Sequence, residues 1–236
     1  MNKELLQEML VKSGIAYTKE QIEKYEKYER ELLEYNQKVN LTAIEEDEEI
    51  IIKHFYDSLL GMMTKTWTGG GKIIDLGTGA GFPGIPLKIM NPQLDVTLVD
   101  ALQKRITFLE LLIQRLELKQ IRAVHARAEE IGQDLKHREK YDLIVSRAVA
   151  KLPVLAEYCL PLIKKGGSMI AYKGPEGEQE VELAERALAI LGGQIKEILR
   201  RQLPDGSERR LVVIEKIALT PGEYPRRPGA PGKKPL

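Results

Sequence analysis

A glycine-rich segment, DLGTGAGFPG from Asp75 to Gly84, holds the residues best suited to chemistry. It follows an apolar run and opens a helical pattern, which is the context in which such a loop binds an adenosine-containing cofactor. Gly77, Gly79 and Gly81 allow a tight turn and a close approach of the backbone to a ligand. A glycine-rich turn without a ligand is the alternative, and the strand–loop–helix context disfavours it.

Two neighbouring features distinguish the kind of cofactor. Gly79, Gly81 and Gly84 also satisfy the dinucleotide-binding pattern G-x-G-x-x-G, so the glycines alone do not exclude NAD as the cofactor. A dinucleotide pyrophosphate needs free N–H groups at the start of the helix, and Pro83 and Pro86 remove two of these donors. The carboxylate of Asp75 would repel phosphates and attract the α-amino group of S-adenosylmethionine. These features favour S-adenosylmethionine as the cofactor.

Other candidate cofactor residues follow the next three predicted strands. Asp100 ends the second strand, where an acid can accept hydrogen bonds from ribose hydroxyls, and its alternative role is that of a helix N-cap. Ala128 and Glu129 follow the third strand, where an adenine edge could be recognised, although an acid also suits the start of a helix. Arg147 follows the fourth strand at the expected mouth of the site, with a solvated surface charge as the alternative.

Several kinds of catalytic chemistry lack support in the sequence. The Asn-Pro-Pro-Tyr type of motif used on exocyclic amines is absent, and Cys159, the one cysteine, lies in an apolar helical pattern typical of a core residue. His54, His125 and His137 show no metal-ligand spacing. No catalytic base is assigned. That gap fits guanine N7, whose free lone pair can attack a methyl sulfonium without loss of a proton.

An alternation of strands and helices must position these residues. Strand patterns occur at 72–76, 96–100, 121–125, 141–146 and 169–173. Helical patterns lie between or after them, at 83–90, 103–116, 129–136, 152–163 and 178–191. This alternation predicts right-handed βαβ units and a parallel sheet covered on both faces. Residues 195–203 and 209–217 flank the turn sequence PDGS and predict a terminal antiparallel hairpin.

The expected fold is therefore α/β, with the Rossmann-like, mostly parallel seven-stranded sheet of a class I S-adenosylmethionine-dependent methyltransferase. Residues 1–66 are predicted to form an N-terminal helical extension, which includes a capping box at Thr18 and a third helical stretch at 47–63. Residues 67–218 are assigned to the S-adenosylmethionine-binding domain, with the glycine-rich segment 66–71 at the boundary. Residues 219–236 form a basic tail rich in Pro and Gly, which is expected to be disordered.

Composition and charge limit the functional classes. An apolar content of 43% supports a packed core, and the apolar runs are too short to span a bilayer. The single cysteine and the lack of a signal-peptide pattern favour a reducing cytoplasm. The net charge is only +1, but residues 101–151 carry 11 Lys/Arg against 7 Asp/Glu, and residues 196–236 carry 10 against 5. A polyanion would be drawn to these two parts.

The sequence resembles the RsmG family, also called GidB, of bacterial 16S rRNA guanine-N7 methyltransferases. The resemblance covers about residues 30 to 217. It rests on several short matches taken together: NLT at 40–42, His54 with DSL at 57–59, the loop at 75–86, VD at 99–100 with KR at 104–105, AEE at 128–130, SRA at 146–148, KG at 173–174 and ERRLVV at 208–213. The family usually has His where this chain has Arg210, which adds positive charge where RNA is expected.

The resemblance implies a reaction and a set of site residues. It implies S-adenosylmethionine as methyl donor, N7 of guanine 527 in the decoding region of 16S rRNA as acceptor, and 16S rRNA or a small-subunit particle as partner. An RNA role is implied for Arg209. Cofactor contacts are implied at Gly77, Phe82, Ala128, Glu129 and Arg147.

Lys104, Arg105 and Lys173 are further candidates for RNA contact, because they lie on loops expected to rim the cofactor cleft. For each of them a solvated surface charge is the alternative. Two other functions stay open: a class I methyltransferase of a small molecule or protein, and a non-catalytic rRNA-binding assembly factor. Binding of S-adenosylmethionine would separate the enzymes from the assembly factor. The protein is expected to act as a monomer, with neither a membrane nor a metal ion.

Overall fold

One sheet of seven strands organises residues 1–67 and 69–236, the part of the chain that the computed structural model describes. The strands are β1 (Lys72–Leu76), β2 (Asp95–Asp100), β3 (Ile121–His125), β4 (Tyr141–Arg147), β5 (Ile163–Lys173), β6 (Gly193–Gln202) and β7 (Glu208–Lys216). Their order is β3-β2-β1-β4-β5-β7-β6. Strands β1 to β5 pair in parallel, whereas β7 pairs antiparallel with both β5 and β6. The predicted fold class and terminal hairpin are confirmed.

Helices cover both faces of this sheet. They are α1 (Lys3–Lys12), α2 (Lys19–Val39), α3 (Asp47–Glu49), α4 (Asp57–Leu59), α5 (Gly84–Met90), α6 (Gln103–Arg115), α7 (Ala128–Gln133), α8 (Leu152–Cys159), α9 (Gly177–Leu191) and α10 (Ala230–Lys233). None of the helices in the described ranges combines the length and the apolar character needed to cross a bilayer.

Two element boundaries differ from the prediction for local reasons. Strand β5 begins at Ile163 rather than at residue 169. The prediction missed its first residues because KKGG at 164–167 shows no apolar alternation, and three of these four residues are exposed. The helix predicted at 152–163 ends as α8 at Cys159 and continues as a 3-10 turn, Leu160–Leu162. Pro161 has no N–H to extend the α-helical ladder.

The N-terminal helices share one core with the sheet. Thr18 caps α2 through the predicted capping box with Gln21. Helix α2 packs against α5 and α6. Tyr25 and Phe55 belong to the same buried cluster as Ile73 of β1. Residues 66–71 thus separate the helical sequence pattern from the alternating strand and helix pattern, but the residues on both sides share one hydrophobic core. Thr68, within that boundary, lies outside the described residues.

The third N-terminal stretch changes geometry along its length. Residues Ile50–Tyr56 between α3 and α4 are π-helical, and a 3-10 turn, Leu60–Met63, follows α4. A π-helix widens the backbone, and such segments are frequent at functional sites. The carbonyl oxygen of Lys53 in this segment accepts a hydrogen bond from Arg147 Nη1 at 3.0 Å. The irregular helix therefore faces the end of β4.

The C-terminal segment differs from its expected disorder, because it packs along α7 and α8. The guanidinium of Arg138 donates to the carbonyl oxygens of Thr220, Pro221 and Tyr224. Arg226 binds the carboxylate of Glu157 through Nε and Nη2 at 2.8 and 2.6 Å, and this carboxylate is fully buried. Composition predicts disorder for a Pro- and Gly-rich segment. The composition of a segment carries no information about partners that lie elsewhere in the chain.

Arg226→Ala tests this packing. The substitution leaves the buried Glu157 carboxylate without its cation and should lower the free energy of unfolding by about 3 kcal/mol. Arg227→Ala, at the exposed neighbouring position, is the matched control and should change it by less than about 0.5 kcal/mol. Urea denaturation followed by circular dichroism measures both. Equal, small effects would show that the tail does not hold Glu157.

Candidate active site

A cleft of about 700 Å³ opens at the carboxyl ends of β1 and β4. The strand order reverses between these two neighbours, since β2 follows β1 on one side and β5 follows β4 on the other. Open α/β sheets bind ligands at such a switch point. The loops after β1, β4 and β5 line the cleft together with the π-helical segment and the start of β7. The candidate site thus lies where the fold leaves a crevice.

The glycine-rich loop forms the floor of this cleft. Gly77, Gly79 and Gly81 all have positive φ, at +74°, +60° and +106°, a region that glycine enters without steric cost. A Cβ on Gly79 would meet no atom within 4 Å, so this position faces open space in the cleft, whereas a Cβ on Gly77 would lie 2.2 Å from the side chain of Val149. The loop is a cradle that accepts a ligand close to the backbone.

Asp75 lies beneath the glycine-rich loop, and its predicted contact with the cofactor stays a prediction. Its side chain is 0% exposed and does not line the cleft. Its Oδ2 accepts hydrogen bonds from Thr78 Oγ1 and from the Gly84 amide, both at 2.7 Å. Burial raises the pKa of this carboxyl to about 7. The geometry makes Asp75 a brace across the loop.

The start of α5 offers no free amide to a pyrophosphate. The Gly84 N–H is bonded to Asp75, and the Ile85 N–H donates to the Gly81 carbonyl at 2.8 Å. Pro86 has no N–H. The first turn of this helix is therefore unlike the phosphate-binding turn of dinucleotide sites. A cofactor that carries no phosphate, such as S-adenosylmethionine, fits the cradle.

Asp100 lies beside the loop, as expected, and is already engaged. Its Oδ2 accepts from the Gly79 amide and from Arg105 Nη1, both at 3.0 Å, and its Oδ1 accepts from the Leu102 amide. The N-cap of α6 is Leu102, which makes no side-chain cap hydrogen bond, so Asp100 supports the glycine turn and the Leu102 amide but does not take the alternative N-cap role. Arg105 lines the cleft beside it.

Ala128 and Glu129 lie apart from the cleft lining. Glu129 is buried at the start of α7, and its Oε1 accepts a hydrogen bond from the amide of Gly229 in the C-terminal tail at 2.8 Å. Ala128 packs against the hydrophobic core on the face of the sheet that α7 covers. The tail covers the position at which the sequence predicts an adenine contact.

Phe82 is central to an aromatic stack below the cleft. Its ring is parallel, within 13°, to both His54 and Tyr28, with centroid distances of 4.4 and 5.2 Å. The guanidinium carbon of Arg147 lies 5.3 Å from its centroid, within cation–π range. Burial, with a smaller effect of the Arg147 charge, lowers the pKa of His54 to about 3. His54 is therefore neutral at physiological pH, and its Nε2 is 2.8 Å from Thr42 Oγ1.

Asp57 joins the predicted cofactor residue Arg147 to the predicted RNA residue Arg209. Its Oδ2 accepts from Arg147 Nη1 and its Oδ1 from Arg209 Nε, both at 3.0 Å. His54 and Asp57 belong to a segment that matched the family pattern, yet sequence reasoning gave them no role. The signal that could have found them is their presence among the short family matches, as His54 and the DSL segment at 57–59.

The other predicted RNA residues divide between the cleft and its outside. Lys173 lines the cleft and pairs with Glu180 at 2.7 Å. Lys104 lies outside the lining, where its Nζ donates to the Val39 carbonyl. Arg210 points to the opposite face from Arg209, as strand alternation requires, and pairs with Glu178 at 2.7 Å.

Two remaining expectations concern the cysteine and the grouping of metal-ligand side chains. Cys159 is fully buried in the core, where burial raises the pKa of its thiol. It is a core residue, as predicted. Within residues 1–67 and 69–236, no three His, Cys, Asp or Glu side chains are grouped to hold a metal ion.

The strand order, the glycine-rich cradle at the switch point and the terminal antiparallel strand define the class I S-adenosylmethionine-dependent methyltransferase fold. A putative S-adenosyl-L-methionine-dependent methyltransferase from Methanococcus maripaludis has a TM-score of 0.54 at 16% identity, covering 80% of this chain and 92% of that chain. Ribosomal protein L11 methylase from Lactobacillus delbrueckii subsp. bulgaricus has a TM-score of 0.53 at 18% identity, covering 70% and 79%. At these identities the likeness shows the fold alone.

The chain belongs to the GidB family, described as rRNA small subunit methyltransferase G, whose pattern matches residues 21–211. It is 49% identical over 237 residues to Ribosomal RNA small subunit methyltransferase G of Bacillus cereus (strain ZK / E33L), covering 100% of this chain and 99% of that protein. The same values hold for the protein of that name from Bacillus thuringiensis (strain Al Hakam). The family resemblance is confirmed.

Gly79→Val tests the cradle. The branched side chain would enter the cleft and should abolish binding of S-adenosylmethionine, measured by calorimetry. Gly14→Val is the matched control, because Gly14 also has positive φ (+67°) and no atom within 4 Å of its Cβ position, but it follows the end of α1 and does not line the cleft. Both variants should lose about 1–2 kcal/mol of stability from backbone strain, and only the first should lose the ligand. Wild-type affinity in folded Gly79→Val protein would refute this placement.

Asp75→Asn tests the raised pKa. The carboxyl ionises near pH 4 in the unfolded chain and near 7 in the folded protein. Between these values the folded state binds more protons, so wild-type stability falls as pH rises. The variant lacks this contribution. The difference in unfolding free energy, wild type minus variant, should therefore decrease from pH 4 to 7 and stay level above it. A constant difference in urea titrations across that range would contradict a buried, protonated Asp75.

Proposed function

We propose that this protein transfers a methyl group from S-adenosylmethionine to N7 of a guanine in 16S rRNA, by family resemblance guanine 527. One observation carries the proposal. The glycine cradle, Arg147 and the β7 residue Arg209 all face the same cleft. A cofactor on the cradle would therefore share this cleft with a cationic wall that suits RNA. The family description and the names of the relatives support the same substrate.

The site chemistry suits an acceptor that needs no deprotonation. S-adenosylmethionine supplies a methyl group on a positively charged sulfur. Transfer to N7 would form an N–C bond and break the S–C bond, so the positive charge would pass to the guanine and no residue of the chain would have to remove a proton. The neutral His54 is a poor candidate for a base, since its pKa lies near 3. The work of the chain is then to position the guanine and to stabilise charge.

The cationic wall consists of arginines and lysines that are partly neutralised by the protein. Lys53, Arg105, Lys173 and Arg209 line the cleft. Arg105 and Lys173 are paired with Asp100 and Glu180. Such pairing limits the repulsion of the cationic cofactor while leaving charged N–H donors for phosphate oxygens or guanine O6. Lys104 would contact the RNA outside the cleft.

The partner is 16S rRNA or a small-subunit particle, which the protein engages as a monomer in the cytoplasm and without a metal ion.

A labelling experiment tests the substrate class. The protein is incubated with S-adenosylmethionine labelled at the methyl carbon and with naked 16S rRNA, small-subunit particles or a protein extract. Label in N7-methylguanosine of 16S rRNA is expected. Cofactor binding without transfer to RNA would favour a small-molecule or protein acceptor, and absence of cofactor binding would favour an assembly factor.

Arg209→Ala, with Arg210→Ala as the neighbouring control, tests the RNA side. Arg209 faces the cleft, whereas Arg210 pairs with Glu178 on the other face of β7. Arg209→Ala should lose RNA methylation by roughly 100-fold and keep cofactor affinity. Arg210→Ala should keep most of its activity. Equal, near-wild-type rates in both variants would remove Arg209 from the site.

A further inference from the structure

The carboxylate of Asp57 is shared by two arginines from distant parts of the chain. Its side chain is 2% exposed, and each of its oxygens accepts one hydrogen bond, from Arg147 and from Arg209. Arg147 ends β4 beside the aromatic stack, and Arg209 opens β7 at the cationic wall. One buried anion thus spans both halves of the proposed site.

The two arginines are held to different degrees. Arg147 has a second partner in the Lys53 carbonyl at 3.0 Å, and its Nη2 lies 3.4 Å from His54 Nδ1. The further contact of Arg209 is with the carbonyl of Glu208, its own neighbour in the chain. Its side chain is 22% exposed. Asp57 is therefore the main group that fixes the direction of Arg209.

The charges allow Arg209 to exchange partners. Two cations face one anion, so Arg147 alone can balance the buried carboxylate if Arg209 turns to another acceptor. A phosphate oxygen or a guanine O6 presents the same kind of acceptor to a guanidinium. Exchange would leave Asp57 paired and would bring Arg209 to the RNA without uncovering a buried charge.

We propose that Asp57 is a positioning residue that orients the guanidinium of Arg209 toward the RNA. Through the same carboxylate it links this orientation to Arg147 on the cofactor side. The inference rests on the proposed function. Asp57 also adds a negative charge beside the RNA path. It therefore weakens unspecific attraction for any polyanion while it favours the productive orientation of Arg209.

Asp57→Asn tests this role. The amide has one acceptor oxygen, so one of the two arginines must face its NH₂ group. Arg147 keeps the Lys53 carbonyl, and Arg209 is displaced. The rate of RNA methylation at saturating cofactor should fall by roughly 10- to 100-fold. Affinity for 16S rRNA at low salt should stay equal or rise, because a negative charge has been removed. A purely structural loss would lower binding and rate together.

A double-mutant cycle separates positioning from stability. If Asp57 acts through Arg209, then Arg209→Ala and the double variant Asp57→Asn/Arg209→Ala should methylate RNA at the same rate within about two-fold. Glu178→Gln is the matched control, since Glu178 is also shared by two arginines, Arg200 and Arg210, on the opposite face. It should leave the methylation rate unchanged and should combine additively with Arg209→Ala.

Four outcomes would count against the inference in different ways. An active wild-type protein whose Asp57→Asn variant keeps the full rate, or whose double variant shows multiplied losses, overturns the positioning role alone. Loss of RNA affinity in step with rate in Asp57→Asn does the same. Wild-type protein that binds S-adenosylmethionine but methylates no 16S rRNA overturns the proposed function and this inference with it.

Discussion

Two buried carboxylates, at the ends of adjacent strands, hold the glycine-rich loop in its shape. The Asp75 carboxylate accepts hydrogen bonds from the Thr78 hydroxyl and the Gly84 amide, which lie on the two sides of the turn. The Asp100 carboxylate accepts a hydrogen bond from the Gly79 amide between them. Because these amides are satisfied inside the protein, the loop can keep its left-handed glycines without a ligand. The floor of the cleft depends on that turn.

The rest of the site comes together because the N-terminal helices fold into the same core as the sheet. Tyr28 of α2 donates to the Ala80 carbonyl at 2.6 Å and stacks on Phe82, which in turn stacks on His54. This stack fixes the π-helical segment against the loop. Asp57, one residue past that segment, can then receive Arg147 from β4 and Arg209 from the hairpin. The helical segment is therefore part of the site rather than an appendage to the methyltransferase domain.

The sequence allowed the sheet and the cradle to be predicted, because both depend on local patterns. Alternating strands and helices, the positive-φ glycines and the PDGS turn are all visible in short windows. The ion pairs of Asp57 join residues 90 and 152 positions apart, and no periodicity reveals them. The same holds for the tail, where Arg226 meets Glu157 across 69 positions. The burial of Asp75 on a strand that is covered on both faces also results from packing against distant residues, which the sequence could not reveal.

Mapping of modified nucleotides in 16S rRNA from cells that lack this gene tests the proposed reaction most directly. Mass spectrometry of rRNA fragments should show the loss of one N7-methylguanosine. Wild-type protein should restore this nucleotide, and the Gly79→Val variant, whose branched side chain would enter the cleft, should not. An undiminished N7-methylguanosine signal in the deletion strain would contradict methylation of 16S rRNA by this cleft.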